Sequence, residues 1–93
     1  RPKDLALGLV AEAGELAEVL LWKSADELAA LREDSPLRAS LGEEMADVLI
    51  YLLYLAEETG LDLAATVEAK LAANARKYPV EKARGSARKY TDL

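Results

Sequence analysis

The sequence carries the same eleven-residue pattern twice. Residues 12–22 read EAGELAEVLLW and residues 44–54 read EMADVLIYLLY, and the two segments align without a gap. Both begin with two acids three residues apart, which stand about 60° from each other on a helix, beside a stripe of leucine or valine side chains. If two such helices pack through these equivalent faces, four carboxylates converge: Glu12, Glu15, Glu44 and Asp47.

The composition favours helices over the whole chain. Ala, Leu, Glu, Lys and Arg make up 59 of the 93 residues, and β-branched side chains are few. Such a mixture argues against an all-β fold or a doubly wound fold. A chain of this length buries only about 60–65% of its unfolded surface, so assembly into an oligomer would complete a marginal core. We therefore predict an all-α, four-helix-bundle-like single domain over residues 1–93.

Start and stop signals divide the chain into its helices. A capping pattern begins at Ser24, Gly60 is a natural left-handed helix end, and Pro79 excludes helical geometry at the residue before it. The third helix has two rival starts, one at Ser35 and one at Ser40. The predicted helices cover about 3–23, 24–32, 36–59 and 62–78, followed by a basic irregular tail over 79–93.

Several function classes are excluded by residues that the sequence lacks. It contains no Cys and no His, which rules out disulfides, zinc fingers, catalytic triads and histidine bases. No apolar run reaches the roughly 18–20 residues of a membrane span, and the apolar region of a signal peptide does not follow Arg1-Pro2-Lys3, so we expect a soluble, cytoplasmic protein without a membrane partner. Residues 1–69 carry 15 acids against 5 bases, which argues against nucleic acid as a partner. Residues 70–93 carry 7 bases against 2 acids, and form either a solvated tail or a segment that folds back toward phosphate or a neighbouring subunit.

The converging acids need a partner. Three acid-x-x-acid pairs are roughly what 17 acids give by chance, so their placement carries the argument. Glu12 and Glu44 lie beside core leucines, where an unpaired ionised carboxylate is costly. Basic residues are scarce nearby, since none lies between Arg38 and Lys70. An oxygen-only site favours Mg²⁺, with Mn²⁺ as a substitute and with open positions for a polyphosphate, whereas the alternative is a solvated acidic face on a structural bundle.

Aromatic side chains accompany the acids. Trp22, Tyr51 and Tyr54 each follow one of the acids by seven residues, on the same side of the helix. Two interpretations stay open, because the rings either fill the core or form a slot in which a base stacks beside its metal-bound phosphates. On the fourth helix an amide, a cation and a phenol lie within one turn of each other: Asn74, Lys77 and Tyr78.

These residues together resemble the signature of a known family. The two acid pairs, separated by 28 residues, resemble those of the MazG-like all-α nucleoside triphosphate pyrophosphatases. Within that family, the segments LALGLVAEAGELAEVLLWK, EEMADVLIYLLYLA, NARKYP and ARKYTDL are most similar to the dCTP pyrophosphatase branch. The resemblance covers nearly the whole chain.

The resemblance implies a MazG-type domain and a Mg²⁺-dependent enzyme that cleaves nucleoside triphosphates between the α- and β-phosphates, giving the monophosphate and pyrophosphate. Such enzymes remove excess or non-standard nucleotides, and are homo-oligomers, typically dimers of dimers whose active site borrows residues from a neighbouring chain. The implied metal ligands are Glu12, Glu15, Glu44 and Asp47. Contacts to the base or sugar are implied for Trp22 and Tyr51, and pocket or phosphate contacts for Asn74, Lys77 and Tyr78. We assign to Glu15 the orientation or deprotonation of the attacking water.

Two other functions stay open as alternatives. One is a non-enzymatic helical module for oligomerisation or partner binding, in which the acids are solvated. The other keeps the fold but acts on dUTP or phosphoribosyl-ATP. Relatives of the dCTP branch carry an upstream segment with a His and aromatic residues that help to recognise the base, whereas this sequence begins at Arg1 and has no His. We therefore expect base recognition from a segment outside this sequence or from a different clamp.

Overall fold

The structure, a computed structural model, describes residues 1–77. These residues form four helices and no strand: α1 (Pro2–Leu21), α2 (Ala25–Ala29), α3 (Pro36–Thr59) and α4 (Leu63–Lys77). The prediction of an all-α chain is confirmed over this range. Tyr78 and the predicted basic tail over 79–93 lie outside the described residues.

The short helix α2 is set by its first residue. The Ser24 hydroxyl accepts a hydrogen bond from the Glu27 backbone N–H at 3.2 Å, and the Ser24 N–H donates to Glu27 Oε1 at 3.1 Å, which completes the predicted capping box. The helix ends at Ala29, two or three residues before the predicted end. The reason is a change in hydrogen bonding, since the Leu31 N–H donates to the Leu28 carbonyl, as in a tight turn rather than an α-helix.

The two rival starts of α3 are resolved in favour of the first. Ser35 caps the helix, because its hydroxyl accepts a hydrogen bond from the Arg38 N–H at 3.2 Å and Pro36 occupies the first helical position. Ser40 lies inside the helix. The helix ends at Gly60 in the left-handed conformation, with φ of 72°, as its sequence position predicts.

Helices α1 and α3 pack against each other and run antiparallel. Gly8 contacts the ring of Tyr51, whereas Glu15, two turns later on α1, lies near Glu44, two turns earlier on α3. This orientation places the two repeated segments face to face. The sequence repeat predicts the face, and the structure supplies the direction and the register.

The contact between α1 and α3 buries little. Among residues 1–77 only Leu5 is fully buried, at 7% exposure, and the other inward-facing leucines are half-buried. The outer side of α3 carries a second apolar stripe, which we call the outer stripe: Met45, Leu49 and Leu53, exposed at 56%, 52% and 50%. A small core and a long exposed apolar stripe are features of a chain that is stabilised by further contacts.

The chain divides into two compact units, residues 1–60 and the residues from Leu61 onward. In the second unit Asp62 caps α4, since its Oδ1 accepts a hydrogen bond from the Ala65 N–H at 3.1 Å. The assignment of one domain over 1–93 stays a prediction. No helix among the described residues has the length and apolarity that crossing a bilayer requires.

The cap at Ser35 yields a testable prediction. Ser35→Ala removes an N-cap hydrogen bond and should lower the free energy of unfolding by about 1 kcal/mol. The matched control is Ser40→Ala, which exchanges the same side chains inside the helix and should leave stability unchanged or raise it slightly. Urea unfolding followed by circular dichroism measures both variants. A larger loss in the Ser40 variant would show that α3 begins at the rival position.

Candidate metal centre

Three carboxylates meet where α1 faces α3. Oxygens of Glu12 and Glu15 on α1 and of Glu44 on α3 all lie within 4.8 Å of one another. Glu12 and Glu44 are half-buried and Glu15 is exposed. Side chains three residues apart on α1 point the same way, and the antiparallel register brings the equivalent position of α3 opposite them. We call these three residues the acid cluster.

Two oxygens of the acid cluster have no hydrogen-bond partner among residues 1–77. Glu12 Oε2 and Glu44 Oε2 are buried, and neither accepts a hydrogen bond from any described residue. A buried carboxylate oxygen without a partner carries a desolvation cost that nothing on the described part of the chain offsets. Among residues 1–77 the arrangement is therefore incomplete as a structural feature, and a bound proton or a cation would complete it.

Hydrogen bonding, burial and neighbouring negative charges raise the pKa of two members of the acid cluster. A side-chain hydrogen bond with Glu15, then burial and then the negative charges of Glu15, Asp47 and Glu44, raise the pKa of Glu12 from 4.5 to about 6. Burial, followed by the charges of Glu15 and Asp47, also raises the pKa of Glu44. Asp47 lies outside the tight group of three oxygens, but its charge acts on both buried carboxylates.

The donor set fits a hard divalent cation. Carboxylate oxygens are the ligands that Mg²⁺ and Mn²⁺ prefer, and an oxygen-only set of three leaves positions on an octahedral ion open to water or phosphate. The two buried oxygens without partners are the atoms that such an ion would satisfy. The chemistry that this arrangement supports is metal-assisted transfer at a phosphate.

The predicted aromatic residues lie at opposite ends of the acid cluster. Tyr51 is half-buried, packs on Gly8 and meets Tyr54 edge to face, with ring centroids 6.5 Å apart and planes at 72°. Trp22 caps the C-terminal end of α1 and is 88% exposed. Along α1, Gly8 and Trp22 are separated by roughly 20 Å. The structure therefore does not bring Trp22 and Tyr51 into one slot within this chain.

The residues predicted on the fourth helix lie in the second unit. Asn74 is half-buried and Lys77 is exposed, and they are one turn apart near the end of α4. Their predicted companion Tyr78 lies outside the described residues.

The contact between Gly8 and Tyr51 was not predicted from the sequence. A signal was present, because Gly8 precedes Glu12 by one turn and Tyr51 follows Asp47 by one turn. In an antiparallel pair these are opposing positions. Periodicity alone gives neither the direction nor the register, so the signal becomes readable only once both are known.

Comparisons with known proteins agree with this chemistry. A model of the MazG-like family matches residues 9–93. The chain is 47% identical over 93 residues to dCTP pyrophosphatase 1 of Bos taurus and 46% identical to that of Homo sapiens. Each alignment covers 100% of this chain and 55% of the relative, so the chain spans about half the length of the curated relatives it matches.

A solved structure is also similar. The crystal structure of a pyrophosphatase from Archaeoglobus fulgidus superposes with a TM-score of 0.71 at 38% sequence identity. The match covers 85% of this chain and 72% of that one. The likeness thus extends from the sequence to the helical architecture.

The raised pKa of Glu12 leads to a prediction about pH. Because the folded state holds this proton more tightly than the unfolded state, Glu12 lowers stability as pH rises from about 4.5 through about 6. Glu27, whose pKa is lowered by its bonds to Ser24, acts in the opposite sense, so the test compares variants rather than absolute curves. In EDTA, Glu12→Gln should stabilise the protein more at pH 7 than at pH 5.

Urea unfolding at both pH values measures this difference. The control is Glu33→Gln, an exposed acid in the connection between α2 and α3, which should stabilise the protein equally little at either pH. An advantage of Glu12→Gln that is the same at pH 5 and pH 7 would contradict the electrostatic account of the acid cluster.

Proposed function

The chain belongs to the MazG-like family, and from that premise we propose that it is a divalent-metal-dependent nucleoside triphosphate pyrophosphohydrolase. The observation that carries the proposal is a pair of buried oxygens, on Glu12 and Glu44, that have no hydrogen-bond partner among residues 1–77 and lie in a cluster whose geometry suits a hard cation. The names of its relatives, dCTP pyrophosphatase and pyrophosphatase, support the reaction class.

The proposed reaction is hydrolysis between the α- and β-phosphates. An oxygen from water forms a bond to the α-phosphorus, the bond from that phosphorus to the bridging oxygen breaks, and pyrophosphate leaves. The products are a nucleoside monophosphate and pyrophosphate. We propose dCTP or a modified dCTP as substrate on the basis of the dCTP pyrophosphatase relatives, with clearance of unwanted nucleotides in the cytoplasm as the role.

The carboxylates of the acid cluster and Asp47 are proposed to have different roles. Glu12 and Glu44, which present buried oxygens without partners, hold the cation together with Glu15, and Asp47 adds a fourth carboxylate from α3. Bound Mg²⁺, or Mn²⁺ in its place, would neutralise phosphate oxygens as the bond breaks. Glu15 is the exposed member of the cluster, so we assign to it the orientation or deprotonation of the attacking water.

The remaining predicted residues are proposed to hold the nucleotide. Trp22 offers an almost wholly exposed indole on which a base can stack, and Tyr51 offers a half-buried ring that packs beside Gly8. Asn74 and Lys77, together with Tyr78, are proposed to contact the pocket or the phosphates. Because Trp22 and Tyr51 lie at opposite ends of the acid cluster, a site that uses both rings would take one of them from a second copy.

We propose that the chain works as a homo-oligomer, a dimer or a dimer of dimers. The outer stripe of α3 supports this, since its three large apolar side chains are at least half exposed in the single chain. The small core, with Leu5 alone fully buried among residues 1–77, gives such contacts a stabilising role.

The catalytic proposal is tested by a pair of neighbouring variants. Glu44→Gln removes a proposed ligand without changing size, and should lower the rate of pyrophosphate release from dCTP with Mg²⁺ by about 100-fold or more. Glu43→Gln makes the same change at its exposed neighbour in sequence. It should stay within about threefold of the wild-type rate, because it removes a solvent-screened charge and no proposed ligand. The measurement is product analysis of dCTP hydrolysis, with EDTA as the metal-free reference.

Three results would contradict the proposal. They are a wild-type rate in Glu44→Gln, a rate that EDTA does not lower, and release of orthophosphate in place of pyrophosphate.

Assembly is tested on the outer stripe. Leu49→Glu places a charge in its centre and should lower the molar mass in sedimentation equilibrium, because burying an unpaired carboxylate in an apolar interface is costly. Leu61→Glu, at a leucine that is 62% exposed outside α3, is the matched control and should keep the wild-type mass. A monomeric wild type, or an unchanged mass for Leu49→Glu, would count against this interface.

A further inference from the structure

At one contact between α1 and α3, any side chain larger than that of glycine would force its neighbour to shift. A β-carbon at position 8 would lie 2.8 Å from Cζ of Tyr51 and 3.1 Å from its Cδ1, closer than ordinary carbon contacts of about 3.5–4.0 Å. The Tyr51 ring therefore rests on the backbone of α1. Tyr54 meets this ring edge to face, so the ring is held from a second direction.

The other two glycines inside these helices have no such reason to be glycine. A β-carbon at Gly14 on α1 or at Gly42 on α3 would meet nothing within 4 Å. Helix propensity alone favours alanine over glycine at all three positions. Gly8 is thus distinguished from Gly14 and Gly42 by packing and not by helix preference.

The contact lies close to the acid cluster. Gly8 is one turn before Glu12 on α1, and Tyr51 is two turns after Glu44 on α3. Helices that meet at small side chains approach more closely than helices that meet at large ones. The ring seated on Gly8 therefore sets how far apart the two helices stand at the next turn, where carboxylates from both must reach one point.

We infer that Gly8 is a positioning residue for the proposed metal site. By seating the Tyr51 ring on its backbone, it sets the spacing of α1 and α3 at which oxygens of Glu12, Glu15 and Glu44 come within 4.8 Å of one another. The inference rests on the proposed function, because it takes these carboxylates to bind a divalent cation. Gly8 itself offers no ligand.

The effect of Gly8 on cation affinity should be measurable, because small displacements of the ligand oxygens weaken the binding of a hard cation. Mg²⁺ requires near-octahedral geometry with short oxygen distances, and sites of this kind tolerate only about 0.5 Å of misplacement. A methyl group at position 8 needs roughly that much extra room or more before it fits beside the ring. One possible response is that the helices separate, which changes the α1–α3 spacing directly. The other is that the Tyr51 ring moves away from Gly8, which removes the contact that sets this spacing.

The experiment measures binding of Mn²⁺ alone, without nucleotide, by electron paramagnetic resonance on purified protein. Gly8→Ala should raise the Kd for Mn²⁺ by about tenfold or more, the effect typical of residues that support metal ligands. Gly14→Ala and Gly42→Ala make the same chemical change in the same helices and should stay within about twofold of wild type. Thermal unfolding in EDTA, recorded on each variant, reports any loss of stability separately.

A second variant keeps the test valid if Gly8→Ala folds poorly. Tyr51→Leu removes the ring without adding a clash, and should also raise the Kd for Mn²⁺. In the Tyr51→Leu background, Gly8→Ala should have little further effect, because the atoms that it would meet are gone.

The outcomes separate the inference from the proposed function. If wild type binds Mn²⁺ and both Gly8→Ala and Tyr51→Leu keep its Kd, the inference is wrong and the proposed function stands. The inference is also wrong if Gly8→Ala lowers stability in EDTA but its folded form keeps the wild-type Kd, since Gly8 is then only a packing residue. If wild type binds no Mn²⁺, the proposed metal site is wrong and the inference fails with it.

Discussion

Mutual repulsion among carboxylates at the contact between α1 and α3 is the constraint on which the rest of this structure depends. Oxygens of Glu12, Glu15 and Glu44 lie within 4.8 Å of one another, and the buried Oε2 atoms of Glu12 and Glu44 have no hydrogen-bond partner among residues 1–77. The raised pKa of Glu12 and of Glu44 expresses the same conflict. Unpaired carboxylates destabilise the contact between the two helices, and a bound cation would remove this cost. The stability of the helix pair would then depend on cation binding.

The exposed apolar surface and the small core are both related to the acids at the contact between α1 and α3. Acidic side chains occupy part of the interface between α1 and α3, so less of its area is available for hydrophobic burial. Among residues 1–77 only Leu5 is fully buried. The outer stripe of α3 is an exposed apolar surface that contact with another molecule would bury. The inner face of the helix pair thus carries the proposed metal site, and its outer face carries the apolar surface that is proposed for assembly.

Much of the site could be predicted from the sequence, and the limits have physical causes. The repeat of acid pairs beside apolar stripes predicts which face each helix presents, and the structure brings Glu12, Glu15 and Glu44 together accordingly. Periodicity carries no information on direction or register, so the seating of Tyr51 on Gly8 was missed. Local signals were also ambiguous, since Ser35 and Ser40 are equally good caps by composition and only the structure distinguishes them.

Anomalous diffraction from crystals grown with Mn²⁺ would show whether the acid cluster of one helix pair binds a divalent cation. We expect a manganese peak between α1 and α3, within about 2.5 Å of the buried oxygens of Glu12 and Glu44. A well-ordered helix pair with no anomalous peak at these carboxylates, or with its manganese bound only elsewhere, would contradict it.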